Sequence, residues 1–246
     1  EKRPYFSPDG KWILYSADYY GNLDLFVMPA TGGEPRRLTF NPGNDLCSGF
    51  SPDGQYVYLY SYLESRFDAF RIRFSGSTPA RLLHSPRDNI YALRPAPEGD
   101  DRLLFTYRSS HFSLNRPRLA GPSTSELFLA KKPWPAEADI HRLTNNEVPD
   151  YLPIWKPDEA DTFYFLSSHE GSYNIFTGKL SDGKLASRKP LTKVGGKGDR
   201  WYSVSPQTGR IVAEIDYRLY EVSSQTGEVS LIDISLAHAP KFTLPD

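Results

Sequence analysis

The amino-acid sequence predicts an all-β chain that folds as a β-propeller of four-stranded antiparallel blades. Three observations support this: a turn motif recurs along the chain, a second motif recurs at the far end of several repeats, and short strands alternate with turns throughout. A repeat of about 40–45 residues built from short strands is the period of a propeller blade. A single blade cannot bury its apolar face alone, so we expect the whole chain to form one array.

The turn motif is Ser-Pro-Asp-Gly, which occurs at residues 7–10 and 51–54. Altered copies follow at 96–99, 156–159 and 205–209, so that the five prolines lie 44, 45, 60 and 49 residues apart. Proline at the second position and glycine at the fourth favour a type I turn. We expect the aspartates of these turns to accept local backbone hydrogen bonds, because aspartate does so in turns.

Each repeat is predicted to contain four short strands, because runs of apolar and aromatic residues alternate with polar turns. The first unit has strands at 3–6, 11–16, 24–28 and 36–39. The strands of the later units are expected at 48–50, 55–62, 68–74 and 80–83; near 91, 102–107, 126–131 and 140–143; 152–155, 162–166, 173–178 and 190–192; and 201–204, 210–215, 219–223 and 229–234. The corresponding blades are 1–42, 43–86, 87–147, 148–195 and 196–236, followed by a tail at 237–246 in a single domain.

The ends of three repeats share a second motif, Arg-Leu-Thr at 37–39 and 142–144 and Pro-Leu-Thr at 190–192. Chance alternation of apolar residues would not keep this motif in phase with the turn motif. No segment shows sustained helical periodicity.

Composition excludes several classes of function. Hydrophobic residues make up 39% of the chain and aromatic residues 14%, which favours a packed structure rich in strands. The net charge is −1 without a basic stripe, so no nucleic-acid partner is expected. No apolar run approaches the roughly 20 residues of a membrane helix. Cys47 is the only cysteine, which excludes an internal disulfide and a cysteine-based zinc site.

Residues 7–39 closely resemble the TolB-like propeller repeat. The whole chain is similar to the N-terminal six-bladed propeller of tricorn-type serine proteases. Three features support this narrower resemblance: the polar lead-in at 41–45, the long polar insertion in the third unit, and the short fifth unit, in which 213–220 has almost no turn between strands.

The resemblance implies a propeller of six blades, whereas the sequence shows five. It implies further that the first blade would precede Glu1 and that the protease part would follow Asp246. Five blades in an open arc would expose apolar faces, so we expect a distorted five-bladed ring, self-association or a marginally stable monomer. The compartment stays open between a periplasmic or secreted bacterial location, which we favour, and the cytoplasm.

Two histidines occupy equivalent places just past the second strand of neighbouring repeats, His111 and His169. They would converge on a divalent metal or a substrate carboxylate if this were a propeller enzyme acting on acidic carbohydrate. The alternative, which we favour, is that the position merely tolerates polar residues, because Asp18 occupies the equivalent turn of the first repeat.

The insertion from Arg108 to Ser125 contains Arg108, Arg116 and Arg118 among small polar residues and prolines. Long loops on rigid scaffolds often bind partners, and arginine can hold a peptide carboxylate through two parallel hydrogen bonds. The simpler alternative is that the insertion is a long, solvent-exposed hairpin loop without a binding role.

No motif for a nucleophile, a metal or another cofactor is present, and the glycines at 195–198 lack the spacing of a phosphate-binding loop. The sequence therefore predicts a non-catalytic propeller of a tricorn-like serine peptidase. It would gate or dock peptides or partner protease domains of the same parent chain. The alternatives are a stand-alone TolB-like interaction propeller and the metal-dependent enzyme on acidic carbohydrate.

Overall fold

The structure is a computed structural model that describes residues 2–63, 66–84, 89–97, 100–108, 124–131, 140–145, 148–196 and 198–234. Within these ranges the chain forms five sheets, each of four antiparallel strands in consecutive order. The predicted all-β propeller of four-stranded blades is therefore confirmed. Within the same ranges there is no helix long and apolar enough to cross a membrane.

The strands are numbered in chain order and fall into five blades of four. Blade 1 contains β1 (Lys2–Phe6), β2 (Trp12–Ala17), β3 (Asp24–Pro29) and β4 (Arg36–Arg37). Blade 2 contains β5 (Asn44–Phe50), β6 (Tyr56–Tyr62), β7 (Phe67–Arg73) and β8 (Ala80–Leu83). Blade 3 contains β9 (Asn89–Pro95), β10 (Arg102–Arg108), β11 (Ser125–Lys131) and β12 (Ile140–Arg142). Blade 4 contains β13 (Asp150–Trp155), β14 (Thr162–Ser167), β15 (Asn174–Ser181) and β16 (Lys184–Pro190). Blade 5 contains β17 (Asp199–Val204), β18 (Ile211–Ile215), β19 (Arg218–Val222) and β20 (Val229–Leu231).

The Ser-Pro-Asp-Gly turns are closed by their own side chains. Ser7 Oγ donates to Asp9 Oδ1 at 2.6 Å and accepts from the Trp12 amide at 3.0 Å, while Asp9 Oδ1 also accepts from the Lys11 amide at 3.1 Å. Gly10 has a φ of 70°, which favours glycine at this place. The turn at residues 51–54 has the same pattern. The aspartates of these two turns therefore shape the backbone, as the sequence predicted.

The motif at the repeat ends fixes the last strand of a blade to the third. The hydroxyl oxygens of Thr39, Thr144 and Thr192 accept from backbone amides at the start of β3, β11 and β15, at 2.9, 3.0 and 2.9 Å. Thr192 also donates to Asp199 of the next blade at 2.5 Å. The motif thus joins neighbouring strands and, in blade 4, neighbouring blades.

The apolar core lies between the blades. Four hydrophobic clusters fill the four junctions from blade 1 to blade 5. Each combines side chains from two neighbouring sheets, and the cluster between blades 4 and 5 also includes Ala92 of blade 3. The first strands β1, β5, β9 and β13 contact one another in succession, so they line the axis of the ring. Blades 5 and 1 also meet, because the Gln207 side-chain amide donates to the Pro8 carbonyl oxygen.

Blade 4 differs from the prediction at its outermost strand. The sequence placed that strand at 190–192, whereas β16 runs from Lys184 to Pro190. Asp182 and Gly183 both have positive φ, 52° and 75°, and form a two-residue hairpin that pairs this polar segment with β15. The segment was missed because an exposed outer strand needs no apolar pattern.

Candidate functional site

Antiparallel connectivity divides the connections of the blades between two faces of the ring. The links between the first and second strands, including the Ser-Pro-Asp-Gly turns, lie on one face, which we call the turn face. The links between the second and third strands lie on the opposite face, which we call the loop face. Arg108 ends β10 at the loop face, and His169 lies in the β14–β15 connection on the same face.

Large aromatic side chains are exposed on the loop face. Tyr20 and Tyr217 lie in the β2–β3 and β18–β19 connections, with 66% and 67% of their surface exposed. The guanidinium carbon of Arg37 lies 4.4 Å from the centre of the Tyr20 ring and 4.8 Å from that of the exposed Phe40. Aromatic rings and arginine are the residue types enriched in the central parts of protein interfaces.

Each first strand contains one extra residue relative to its neighbour. The registers of β1, β5, β9, β13 and β17 against the second strands all shift at one point, as at a β-bulge. Three residues at these shifts, Arg3, Ala92 and Leu152, have φ angles of 57°, 52° and 53°, where residues other than glycine are uncommon. A bulge bends its strand and redirects the nearby side chains. Here the five bulges surround the axis.

Stacked guanidinium and aromatic groups lie at the loop-face ends of the strands near the axis. The guanidinium carbon of Arg3 lies 5.2 Å from the centre of the Tyr60 ring and 5.4 Å from that of Trp201. Tyr60 meets Tyr91 edge to face at 4.8 Å, and the guanidinium carbon of Arg108 lies 3.9 Å from the centre of the Tyr91 ring. These five residues, which we call the channel cluster, come from blades 1, 2, 3 and 5.

A third arginine lies beside the channel cluster. Arg94 donates to the carbonyl oxygens of Ser48 and Leu93, the latter at 2.9 Å, and to the Tyr5 hydroxyl at 3.1 Å. These contacts fix its guanidinium between blades 1, 2 and 3. Among the described residues, all these hydrogen-bond partners of Arg94 are neutral groups.

The positive charges at the channel cluster influence one another. Burial lowers the pKa of the Arg3 guanidinium, an effect that Tyr5 and Cys47 oppose and that the like charges of Arg108 and Arg94 reinforce. Within the described ranges, neither Arg3 nor Arg94 forms a salt bridge with a carboxylate. Two guanidinium groups without a carboxylate partner among the described residues, those of Arg3 and Arg94, therefore lie near the axis beside the aromatic rings of the channel cluster.

The structure describes two of the five predicted site residues. Arg108 belongs to the channel cluster, whereas Nδ1 of His169 lies 3.3 Å from Nη2 of Arg188, and His169 makes no hydrogen bond to Arg108. His111, Arg116 and Arg118 lie outside the described residues. The binding role of all five stays a prediction.

The metal hypothesis joins His111 to His169, so the structure does not test it. Among the residues that the structure describes, no group of three or more histidine, cysteine, aspartate or glutamate side chains is placed to hold a metal ion.

Sequence reasoning missed the other members of the channel cluster, Arg3, Tyr60, Tyr91 and Trp201. One signal was available for the arginines: an Arg-Pro pair occurs in the first strand of two blades, at residues 3–4 and 94–95. No sequence signal joins Tyr60 to Trp201, because they lie in different blades and converge only when the ring forms.

Comparison with known proteins agrees with this architecture. The family model for the tricorn protease N-terminal β-propeller domain matches residues 1–228. No protein with a curated description matches the chain.

Among solved structures, a putative TolB from Agrobacterium tumefaciens has a TM-score of 0.71 at 21% identity, with 94% of this chain and 79% of that chain covered. TolB from Acinetobacter baumannii has a TM-score of 0.71 at 18% identity, and the coverage is 90% of this chain and 52% of that one. The tricorn protease has a TM-score of 0.72 at 19% identity, with 97% of this chain but only 23% of that chain covered. These likenesses show the fold, and the chain spans about half of the second structure and less than a quarter of the third.

Proposed function

Because the chain belongs to the tricorn protease N-terminal β-propeller family, we propose that it is a non-catalytic propeller of a tricorn-like serine peptidase. It gates or docks peptides, or partner domains of the same parent protein, on its loop face and at the channel opening. In this proposal the bond-breaking chemistry belongs to the protease part of the parent protein. The propeller binds the peptides or partner domains and controls the access of peptides to the protease part.

The observation that supports the proposal is the difference between the two faces. The loop face presents Tyr20 and Tyr217 in short connections on a rigid sheet scaffold, and the arginines at the channel cluster lie at the same end of the strands. Rigid aromatic side chains provide large contact areas at a low entropic cost. The turn face also exposes Phe6, but its turns at residues 7–10 and 51–54 satisfy their polar side chains with local hydrogen bonds.

Peptide binding tests the proposal. Fluorescence anisotropy would follow a labelled pool of unstructured decapeptides as the purified chain is added. The double variant Tyr20→Ser/Tyr217→Ser should weaken binding by about tenfold or more, since removing a well-packed interface aromatic typically costs more than about 1 kcal/mol.

Phe6 provides the matched control. It is 67% exposed, like the two tyrosines, but it ends β1 beside the first turn of the turn face. Phe6→Ser should leave the affinity unchanged. Equal weakening by the loop-face and turn-face variants would contradict a directed binding face, and a pool that does not bind would refute peptide docking. Thermal unfolding of all variants would separate lost binding from lost folding.

A further inference from the structure

Tyr20, Arg37 and Phe40 form an exposed aromatic patch on the loop face of blade 1, away from the axis. We call these three residues the blade 1 patch. Phe40 is 72% exposed, more than any other large hydrophobic side chain among the described residues. The guanidinium carbon of Arg37 lies 4.4 Å from the centre of the Tyr20 ring and 4.8 Å from that of Phe40. Because the two distances share one atom, their sum limits the separation of the ring centres to about 9 Å.

Hydrogen bonds fix the guanidinium that contacts both rings. Nη2 of Arg37 donates to Asp24 Oδ2 at 2.5 Å, and Nε donates to the Thr39 carbonyl oxygen at 2.8 Å. The Asp24 side chain is fully buried, and its carboxylate offsets the positive charge of Arg37. The blade 1 patch is therefore ordered before a guest arrives and carries little net charge, which favours an uncharged, apolar guest.

Blade 3 shows that the blade does not need the ring of Phe40 to hold this arginine. Arg142 occupies the place of Arg37, and it donates to Glu126 Oε1 at 2.5 Å and to the Thr144 carbonyl oxygen at 2.7 Å. The residue that follows the threonine is the polar Asn145. The pairing of the arginine with an acid and a carbonyl oxygen thus forms without an aromatic residue at this place.

Blade 4 differs from blade 1 at both ring positions. Gly21 and Gly171, with φ angles of 93° and 88°, mark equivalent turns between the second and third strands. The residue before the glycine is Tyr20 in blade 1 and Glu170 in blade 4, and the residue after the motif threonine is Phe40 in blade 1 and Lys193 in blade 4. Glu170 and Lys193 are exposed, as expected of charged side chains. Adjoining rings at positions that the fold fills with polar residues elsewhere indicate a binding surface.

We propose that the blade 1 patch binds proline-rich segments in the polyproline II conformation. This helix has three residues per turn and rises about 3.1 Å per residue, so every third side chain returns to the same face after roughly 9 Å. The limit on the ring separation allows this spacing, and two prolines three positions apart then pack on Tyr20 and Phe40. Aromatic surfaces suit such segments because the helix is already ordered before it binds. This inference rests on the proposed peptide-docking function and specifies its class of guest.

Three nonapeptides, each with an acetylated N-terminus and an amidated C-terminus, test the spacing. The first has three prolines among alanines, at every third position. The second has the same composition with the prolines at every fourth position, and the third contains alanine alone. Isothermal titration calorimetry with the full chain should show about tenfold tighter binding for the first peptide than for the other two. Added salt should leave this preference unchanged, because the contacts involve uncharged groups of the peptide.

Two phenylalanine variants complete the test. Phe40→Ser should abolish the preference without lowering the unfolding midpoint, because the side chain is largely exposed. Phe6→Ser is the matched control on the turn face, since Phe6 is 67% exposed, and it should keep the preference.

Equal binding of the three nonapeptides would overturn this inference and leave the docking proposal intact, as would a preference that persists in Phe40→Ser. Failure of all three to bind, while the pool of decapeptides still binds, would also overturn this inference alone. Failure of the pool as well would remove both proposals.

Discussion

Acidification from neutral pH should stabilise this protein, which is the reverse of ordinary acid denaturation. Asp150 and Asp199 begin the first strands of blades 4 and 5, and both are buried. Each has one carboxylate oxygen without a hydrogen-bond partner among the described residues. Burial raises the pKa of each carboxyl from 3.8 to about 6. Contacts with Ser167 and Arg188 act in the opposite direction on the pKa of Asp150, and the hydrogen bond from Thr192 does so for Asp199.

The sign follows from proton linkage. The folded state holds these protons more tightly than the unfolded chain does, so the contribution to stability is fully present below pH 3.8 and is lost as the pH rises through about 6. The difference between the two pKa values corresponds to about 3 kcal/mol for each carboxyl. Roughly half of this is recovered between pH 7 and pH 5, so the two groups together should add about 3 kcal/mol to the free energy of unfolding.

Urea unfolding followed by tryptophan fluorescence, at constant ionic strength and at about pH 5, 6 and 7, measures this slope. Asp199→Asn imitates the protonated carboxyl and should remove about half of the pH dependence, and Asp150→Asn should remove the other half. Asp9→Asn is the control, because hydrogen bonds from Ser7 and Lys11 lower the pKa of Asp9, which therefore titrates below this window. A flat or rising free energy of unfolding from pH 5 to pH 7 would refute the reasoning, as would a wild-type slope in both buried variants.

Two further substitutions test the junction between blades 4 and 5. Thr192→Val removes a hydroxyl that serves both blades and should lower the free energy of unfolding by about 1–2 kcal/mol, whereas Thr226→Val in an exposed turn should change it little. Gly198→Ala should cost more than about 2 kcal/mol, because its φ is 71° and an added Cβ would lie 2.2 Å from the Tyr173 carbonyl oxygen. Gly195→Ala, with open space around the new methyl group, is its control in the same denaturation assay. Similar losses in a variant and its control would contradict either argument.

The turns show why much of the fold could be predicted. A hydrogen bond from the Trp12 amide to Ser7, or from the Lys11 amide to Asp9, joins residues at most five positions apart, so a short motif contains the information. The alternation of strands and turns has the same local character. Outer strands without an apolar face, such as β16, lack such a pattern and were misplaced.

The sequence by itself determined an array of five four-stranded blades, the turns that open each blade and the family that the array resembles. The tertiary structure decided the site. Arg3, Tyr60 and Trp201 come from blades 1, 2 and 5 and meet only at the axis of the ring. Local sequence patterns specify contacts within a blade, whereas the side chains that share the channel depend on ring closure and on a bulge in every first strand. Arg3 and Trp201 are almost two hundred positions apart and meet at the axis. No local sequence pattern encodes that contact.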